Sequence, residues 1–313
     1  MKGKILVTPR AFAKNGMDQI EEMRKAGWDV HVNDTGESYS HEEFIRLAKD
    51  VDGIIIGVDI ADKEMLDQCP NLKAIAKYGV GVDNIDMNAA KEKGIRVSRT
   101  IGSNSVSVAE HAMALLFTLT KNTYRAVSSV KHGKWDKVYG SELQGKTIGI
   151  IGFGNIGKHV AHMAQGMNMK VMAYDAYPID ETYAKENNII ISDFDTLIKN
   201  SDAITVHLPL SEDTKNLLNM ETFKKMKPTA IVINAARGGI VNEEDLYDAL
   251  KNHVIAGAGF DVFTCEPPRA EEPLLELDNF IITPHTASKT KEADNNTIRM
   301  SVENILRDLE ELQ

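Results

Sequence analysis

The sequence predicts an α/β protein with two doubly wound parallel-sheet domains, and three observations lead to this prediction. Short apolar runs alternate with polar helical segments through residues 1–100. The same alternation begins again at Thr147 and continues to Thr283. Between the two stretches, Ser105–Thr120 carries apolar residues at helical spacing, typical of a long helix that connects two domains. Because parallel strands need crossover connections, usually helices, the alternation favours parallel sheets covered on both faces.

In the first domain, five short apolar runs predict buried strands, and polar segments between them, such as 16–26 and 41–48, predict helices. The predicted strands are Ile5–Val7, Val30–Val32, Ile54–Ile56, Ala74–Ala76 and Ile95–Val97. Residues 289–312 form a charged amphipathic segment with no strand after it, so we expect this helix to return to the first domain. The predicted first domain is therefore discontinuous and consists of residues 1–100 and 287–313.

The second domain, predicted over residues 101–286, contains six predicted strands. They are Thr147–Ile151, Val171–Tyr174, Ile204–His207, Ala230–Asn234, Ala256–Phe260 and Phe280–Thr283. The preceding segment, 121–143, is polar and aromatic.

Composition excludes several classes of function. The net charge of −10 argues against a nucleic-acid surface. Cys69 and Cys265 lack any spacing typical of a disulfide framework or a zinc site, and His159 and His162 have no third ligand beside them, so no metal is expected. No apolar run is long enough for a membrane helix, and the first residues lack the features of a signal peptide. We expect a cytoplasmic protein whose partner is a small molecule.

The strongest local signal is the glycine turn that opens the second domain, Gly152-Phe153-Gly154-Asn155-Ile156-Gly157. A G-x-G-x-x-G pattern alone is weak, but this one follows a predicted strand and begins a predicted helix over 155–167. In that context the glycines allow a tight turn, approach of a pyrophosphate and close helix–strand packing. Backbone N–H groups of Asn155 and Ile156 would face the phosphates. A glycine-rich turn that binds nothing is the less favoured alternative.

Asp175 ends the next predicted strand, where dinucleotide-binding domains place a carboxylate for the ribose. Such a carboxylate accepts hydrogen bonds from ribose hydroxyls and repels a 2′-phosphate, and residues 176–178 supply no compensating cation. The sequence therefore predicts NAD, not NADP, as the cofactor. A role for Asp175 in a turn before Pro178 is compatible with this.

Three further loops follow strands of the second domain, where ligands of open α/β sheets bind. They carry Arg237, Glu266 and His285. An arginine can hold a carboxylate bidentately, and a histidine oriented by a carboxylate can exchange a proton with a hydroxyl near neutral pH. Singly, an arginine in a solvated turn and a structural histidine are the commoner situations. Together, the three predict a site that moves a hydride and a proton at an alcohol carbon.

The sequence resembles the D-isomer-specific 2-hydroxyacid dehydrogenase family over essentially its whole length. The segments that carry the resemblance are Lys77–Asp86, Ser107–His111, Gly133–Trp135, the glycine turn, Asn234–Gly239, Phe260–Phe263 and Pro284–His285. The resemblance implies a Rossmann NAD-binding domain inserted into a flavodoxin-like substrate domain. It also implies a homodimer formed through residues 105–145.

By this resemblance, Arg237, Glu266 and His285 are the catalytic set, and Asp261 contacts the carboxamide of the nicotinamide. Besides the glycine turn, Asp175 and Asp261, the predicted cofactor contacts are Val80, His207, Leu208, Pro209, Ala235, Ala236, Arg237, His285, Ala287 and Ser288. The predicted substrate contacts are Lys77, Tyr78, Gly79, Val80, Gly81, Arg237 and His285. Backbone N–H groups around Val80 and Gly81 would bind the substrate carboxylate as an anion nest.

The substrate is less firmly indicated than the reaction. Within the family, the sequence resembles the branch that oxidises D-3-phosphoglycerate to 3-phosphohydroxypyruvate for serine biosynthesis, which usually has a basic residue just after the third strand. This chain has Val58-Asp59 there, and a carboxylate repels a phosphate. Either Lys77 and other cations compensate, or the substrate is an unphosphorylated acid such as hydroxypyruvate or glyoxylate. We narrowly favour phosphoglycerate.

Two further expectations concern alternatives. The branch that oxidises formate has glutamine as the partner of its histidine, so Glu266 disfavours that reaction. Related transcriptional corepressors share the fold, so an NAD-sensing binding protein is the alternative of another class. The sequence ends near the returning helix, and we expect no separate C-terminal regulatory domain.

Overall fold

The computed structural model describes residues 2–312, which form two compact units. One unit comprises the described residues up to Asn104 together with those from Lys289 onward, and the other is Ser105–Ser288. Each unit contains a single sheet whose strands are all parallel. This confirms the predicted fold class, an α/β protein with two parallel sheets.

The first unit alternates strands and helices up to residue 99. Its elements in this part of the chain are β1 (Gly3–Val7), α1 (Ala11–Asn15), α2 (Met17–Lys25), β2 (Trp28–Val32), α3 (His41–Ala48), β3 (Gly53–Ile56), α4 (Lys63–Asp67), β4 (Ala74–Lys77), α5 (Met87–Glu92) and β5 (Arg96–Arg99). The strand order is β2-β1-β3-β4-β5. Every residue of β3 and β4 is buried, because helices cover both faces of a parallel sheet.

The second unit begins with the long helix. Its elements are α6 (Ser105–Thr120), α7 (Thr123–Lys131), β6 (Thr147–Ile151), α8 (Asn155–Gly166), β7 (Lys170–Tyr174), α9 (Glu181–Glu186), β8 (Ile189–Ile191), α10 (Phe194–Asn200), β9 (Ala203–Val206), α11 (Met220–Lys225), β10 (Ile231–Asn234), α12 (Glu243–Lys251), β11 (Gly257–Phe260) and β12 (Phe280–Ile282), with a 3₁₀ turn over Pro273–Glu276. The strand order is β12-β11-β10-β9-β6-β7-β8. The winding reverses between β6 and β9, which is where open α/β sheets bind dinucleotides.

Two elements of this unit correct the sequence prediction. The sheet has seven strands, not six, because β8 adds a three-residue edge strand. Two of its three isoleucines are exposed, so the segment shows neither the continuous burial of a central strand nor a clear alternation. Helix α7 lies in the segment for which no element was predicted, and none of its residues is buried. Tyr124, Val127 and Val130 recur at a spacing of three residues, a helical pattern that the sequence prediction overlooked.

The chain then returns to the first unit as α13 (Lys291–Glu310). Thr290 caps this helix by accepting a hydrogen bond from the amide of Ala293. Ile298, Val302 and Ile305 pack into the core formed with β1. Within residues 2–312, none of the helices combines the length and the apolar character needed to cross a bilayer.

Candidate active site

The glycine turn connects β6 to α8 at the reversal point of the second sheet. Gly152 has a φ of +94°, and a Cβ atom added there would lie 2.5 Å from the carbonyl oxygen of His207. A Cβ added to Gly157 would lie 2.4 Å from the carbonyl oxygen of Gly152. At Gly154, an added Cβ would meet no atom within 4 Å. Gly152 and Gly157 are therefore required by packing, whereas Gly154 leaves the surface in front of the turn open.

The first turn of α8 is suited to bind an anion. Gly154 occupies the N-cap position, and no side chain caps the helix there. The amides of Asn155 and Ile156 begin this twelve-residue helix at its positive end. Together with the open space at Gly154, this arrangement fits the pyrophosphate of a dinucleotide.

Asp175 lies just after β7 and is partly exposed. Its Oδ2 accepts a hydrogen bond from the amide of Phe153 at 2.7 Å, and its Oδ1 accepts one from the amide of Tyr177 at 3.0 Å. Each carboxylate oxygen can accept a further bond, so the group can still bind ribose hydroxyls. The sequence did not reveal the bond to Phe153, by which Asp175 also fixes the glycine turn.

His285 and Glu266 form a contact in the same unit. The Nδ1 atom of His285 lies 2.7 Å from Oε2 of Glu266, and Oε1 of Glu266 accepts a hydrogen bond from the amide of Phe263 at 2.9 Å. The two side chains are 49% and 38% exposed. His285 has a φ of +52°. Nε2 of the imidazole has no partner among residues 2–312 and is therefore available to a ligand.

Asp261 fixes the loop that carries His285. Its carboxylate accepts hydrogen bonds from the amides of Thr286 at 2.9 Å and Ala287 at 2.7 Å, and from the hydroxyl of Thr283 at 2.5 Å. Burial raises the pKa of Asp261, but hydrogen bonds from His111, Thr283 and these amides outweigh burial and hold it below its usual value. Asp261 is 1% exposed, and its predicted contact with the carboxamide stays a prediction.

The loop after β10 carries Arg237. The buried side chain of Asn234 donates to the carbonyl of Arg237 at 2.9 Å and accepts from the amide of Ala236 at 3.1 Å. A Cβ added to Gly238 would lie 2.1 Å from the carbonyl oxygen of Phe263, so this loop touches the loop that holds Glu266. Arg237 is partly exposed, and its Nη1 donates to the carbonyl of Ala236 at 2.8 Å.

His207 follows β9, and its Nε2 lies 2.9 Å from the hydroxyl oxygen of Thr205. Nδ1 is buried and has no partner among residues 2–312. Burial lowers the pKa of His207 to about 3, so the imidazole is neutral at pH 7. This histidine therefore packs as a neutral ring beside the turn, since its carbonyl also touches Gly152.

The other predicted cofactor residues of this unit lie at the carboxyl ends of strands or in the loops that follow them. Leu208, Ala236 and Ser288 are partly exposed, Pro209 is exposed, and Ala235 and Ala287 are buried. No three His, Cys, Asp or Glu side chains are grouped as metal ligands within the described chain, residues 2–312.

In the first unit, the side chains of two predicted substrate residues are held by the unit itself. Lys77 is 8% exposed, and its ammonium donates to the carbonyl of Gly57 at 2.5 Å and to Oδ1 of Asn84 at 2.7 Å. The hydroxyl of Tyr78 donates to Asp294. Burial, and then this bond, raise the pKa of Tyr78. Their contacts with a substrate stay predictions.

The next three residues of the loop that follows β4 are described by their backbone amides. The amide of Gly79 donates to the hydroxyl of Thr100 at 3.1 Å. The amides of Val80 and Gly81 have no acceptor within residues 2–312. Two adjacent unpaired N–H groups have the chemistry of the predicted anion nest.

Asp59 lies in the loop after β3 and is 9% exposed. Its Oδ2 accepts a hydrogen bond from the hydroxyl of Thr8, and its carbonyl accepts one from the side-chain amide of Asn84. Asn84 therefore ties the loop of Asp59 to the loop that begins at Lys77.

The edge of the second sheet thus has the parts of a nicotinamide-dinucleotide-binding protein, and comparison with known proteins defines its family. The model of the D-isomer specific 2-hydroxyacid dehydrogenase NAD binding domain matches residues 113–287. The chain belongs to this family.

Similar proteins span several substrates. The chain is 44% identical over 292 residues to D-3-phosphoglycerate dehydrogenase of Archaeoglobus fulgidus, covering 92% of this chain and 55% of that protein. It is 39% identical over 307 residues to hydroxypyruvate reductase of Thermotoga maritima, covering 91% and 99%. The solved pyruvate reductase of Chlamydomonas reinhardtii is 29% identical with a TM-score of 0.83, covering 98% and 96%. The chain therefore spans about half of the phosphoglycerate dehydrogenase but nearly all of the hydroxypyruvate reductase.

Proposed function

We propose that this protein is an NAD-dependent oxidoreductase that interconverts a small D-2-hydroxy acid and the corresponding 2-keto acid. The observation that carries the proposal is the 2.7 Å contact between His285 Nδ1 and Glu266 Oε2, in the unit that contains the glycine turn. Because Glu266 orients the ring through Nδ1, Nε2 can exchange a proton with the oxygen on C2 of the substrate. The nicotinamide, when bound, supplies or accepts the hydride.

Arg237 completes the proposed catalytic set. Its guanidinium can hold the substrate carboxylate and polarise the C2 oxygen, which a lysine would do less well. The unpaired amides of Val80 and Gly81 are the proposed second group that binds the carboxylate.

NAD is the proposed cofactor because of Asp175. Its carboxylate is fixed by two backbone amides, and a 2′-phosphate beside it would bring two anions together. Residues 176–178 contain no cation that could relieve this repulsion.

For the substrate, the carboxylate of Asp59 favours an unphosphorylated acid such as hydroxypyruvate or glyoxylate over phosphoglycerate, because it would repel a phosphate placed beside it. The sequence left open that Lys77 compensates this charge. The ammonium of Lys77 donates to the neutral oxygens of Gly57 and Asn84, which hold it in place without removing its charge. Phosphoglycerate remains the second candidate because of the 44% identity to a phosphoglycerate dehydrogenase.

The proposed assembly is a homodimer formed through residues 105–145. Large apolar side chains are exposed along this segment, as expected of a surface that a second copy covers. They are Val106, Phe117, Tyr124, Val127, Val130, Trp135 and Tyr139. Sedimentation of the protein and of a Trp135→Glu variant tests this, and a monomeric parent protein would contradict it.

Steady-state oxidation of NADH and NADPH with hydroxypyruvate, glyoxylate, pyruvate and 3-phosphohydroxypyruvate tests the function. We expect turnover with NADH and the highest kcat/KM for hydroxypyruvate or glyoxylate. A higher value for 3-phosphohydroxypyruvate would assign the protein to the phosphoglycerate branch. Tight NADH binding without turnover of any acid would instead indicate an NAD-sensing binding protein.

A further inference from the structure

Glu243, the first residue of α12, holds the loop that follows β11. Its Oε1 accepts two hydrogen bonds from Thr264, one from the backbone amide and one from the side-chain hydroxyl, each 2.7 Å long. Two donors of one residue therefore converge on a single carboxylate oxygen. Hydrogen bonds to an ionised acceptor are stronger than those between neutral groups, so this contact fixes Thr264 firmly.

Thr264 lies next to the groups that orient the proposed catalytic residues. The amide of the preceding residue, Phe263, donates to Glu266 at 2.9 Å, and Glu266 in turn contacts His285. On the other side, a Cβ added to Gly238 would lie 2.1 Å from the carbonyl oxygen of Phe263 and 2.4 Å from the amide nitrogen of Thr264. Arg237 immediately precedes Gly238. The peptide between Phe263 and Thr264 therefore contacts Glu266 in its own loop and Gly238 in the loop that carries Arg237.

We infer that Glu243 is a positioning residue for the reaction proposed above, because it holds the Phe263–Thr264 peptide in the place from which Glu266 orients His285. The two hydrogen bonds to Glu243 come from Thr264, so its proposed effect on Glu266 and His285 passes through Thr264. The inference rests on the proposed function.

The simpler explanation is that Glu243 only stabilises the start of α12, where an acidic residue interacts favourably with the helix dipole. The first turn holds three acidic residues, Glu243, Glu244 and Asp245, and Asn242 already caps it. Glu244 is exposed and lies in the same first turn, where it can make the same dipole interaction. Burial raises the pKa of Glu243, the hydrogen bonds from Thr264 lower it, and the nearby charge of Glu272 raises it further. The net effect is a raised pKa. An acidic residue needed only for the helix dipole could stay exposed to water, as Glu244 does, and would avoid the free-energy cost of burying a carboxylate.

Comparing Glu243→Ala with the matched control Glu244→Ala separates the two explanations. We expect Glu243→Ala to lower kcat about tenfold, because a small misplacement of catalytic groups is costly, and to leave KM for NADH within about twofold. Glu243→Gln keeps an oxygen that can accept both bonds, so it should restore most of the activity. Glu244→Ala should retain the kcat of the parent protein.

A second background tests whether the effect passes through Glu266. Residues that act as one unit are not additive, so adding Glu243→Ala to Glu266→Gln should lower kcat less than about twofold further. A full tenfold loss in that background, equal losses for the two alanine variants, or a parental kcat for Glu243→Ala would overturn the inference.

Thr264 provides a variant for the case that Glu243→Ala does not fold. Thr264→Val removes one of the two bonds to Glu243, and Thr264→Ser keeps both. We expect about a threefold loss of kcat for the valine variant and parental activity for the serine variant; equal activities would overturn the inference. If the parent protein turns over no acid, the proposed function fails first, and that outcome is recognised without any variant.

Discussion

The edge of the second sheet and the loops of the first sheet differ in whether their polar groups are open to a ligand or already hydrogen-bonded within the unit. At the second sheet, Gly154 faces open space and Nε2 of His285 has no partner within residues 2–312. In the first unit, the ammonium of Lys77 and the hydroxyl of Tyr78 are bound by neighbouring groups of that unit. The proposed proton transfer thus depends on Nε2 of His285, which is open to a ligand, whereas the proposed choice of substrate depends on the charge of Asp59 within a hydrogen-bonded network.

The largest expected effect is at His285, whose Nε2 is open to a ligand. His285→Ala removes the proposed proton donor and should lower kcat by about 10²–10⁴-fold. Because the glycine turn is untouched, affinity for NADH measured by fluorescence titration should change less than about twofold. His31→Ala, at an exposed histidine of the first unit, is the control. Normal turnover by His285→Ala would contradict the assignment of His285 as the proton donor.

Asp175 tests the cofactor half of the same edge. Asp175→Ala removes the carboxylate that is proposed to exclude a 2′-phosphate, and a loss of about 3 kcal/mol would relax the NAD preference roughly a hundredfold. The kcat/KM ratio for NADH and NADPH measures this. Asp175→Asn can still accept the bond from Phe153, so it separates the effect of charge from loss of the turn's support. An unchanged ratio in both variants would count against the ribose role.

His207 tests whether the same edge also holds a buried histidine that stays neutral in the folded protein. Its pKa is lowered by burial from 6.5 to about 3, so below pH 6.5 the unfolded chain binds a proton that the folded protein does not. Stability therefore falls as the pH decreases from 6.5 towards 3. By pH 5 this amounts to about 2 kcal/mol. In urea unfolding at pH 7 and pH 5, His207→Gln should lose less stability than the parent; equal losses would refute the assignment.

Asp59 tests the first unit, with the smallest expected effect. Asp59→Asn removes the charge but can still accept the bond from Thr8, so the fold should persist. We expect the kcat/KM ratio of 3-phosphohydroxypyruvate to hydroxypyruvate to rise about tenfold, equivalent to about 1.4 kcal/mol of relieved repulsion. Asp29→Asn, at an exposed position of β2, controls for net charge. An equal change of this ratio in both variants would show that Asp59 does not determine the substrate preference.

The sequence predicted the central strands and the long helix better than the short edge strand and one surface helix of the second unit. Helix α6 and strand β6 have the predicted bounds, because both carry many buried apolar residues at regular spacing. Strand β8 was missed because a three-residue edge strand with two exposed isoleucines shows no clear alternation. Helix α7 was missed although Tyr124, Val127 and Val130 recur at helical spacing, because they lie in a segment that is otherwise polar.

Within the site, residues at strand ends were predictable, but their support was not. His285 and Glu266 follow separate strands, and a parallel sheet brings such loops to one edge. The bonds from Thr264 to Glu243 and from Phe153 to Asp175 depend on loop geometry. The hydrogen bonds from Lys77 to Gly57 and Asn84 depend on it too.

The most direct test of the proposed chemistry is the configuration and amount of product formed from NADH and hydroxypyruvate by the purified protein. We expect one D-2-hydroxy acid for each NADH oxidised, with His285→Ala binding NADH but forming almost none. Formation of the L-isomer, or NADH that is bound and never oxidised by any of the 2-keto acids, would contradict it.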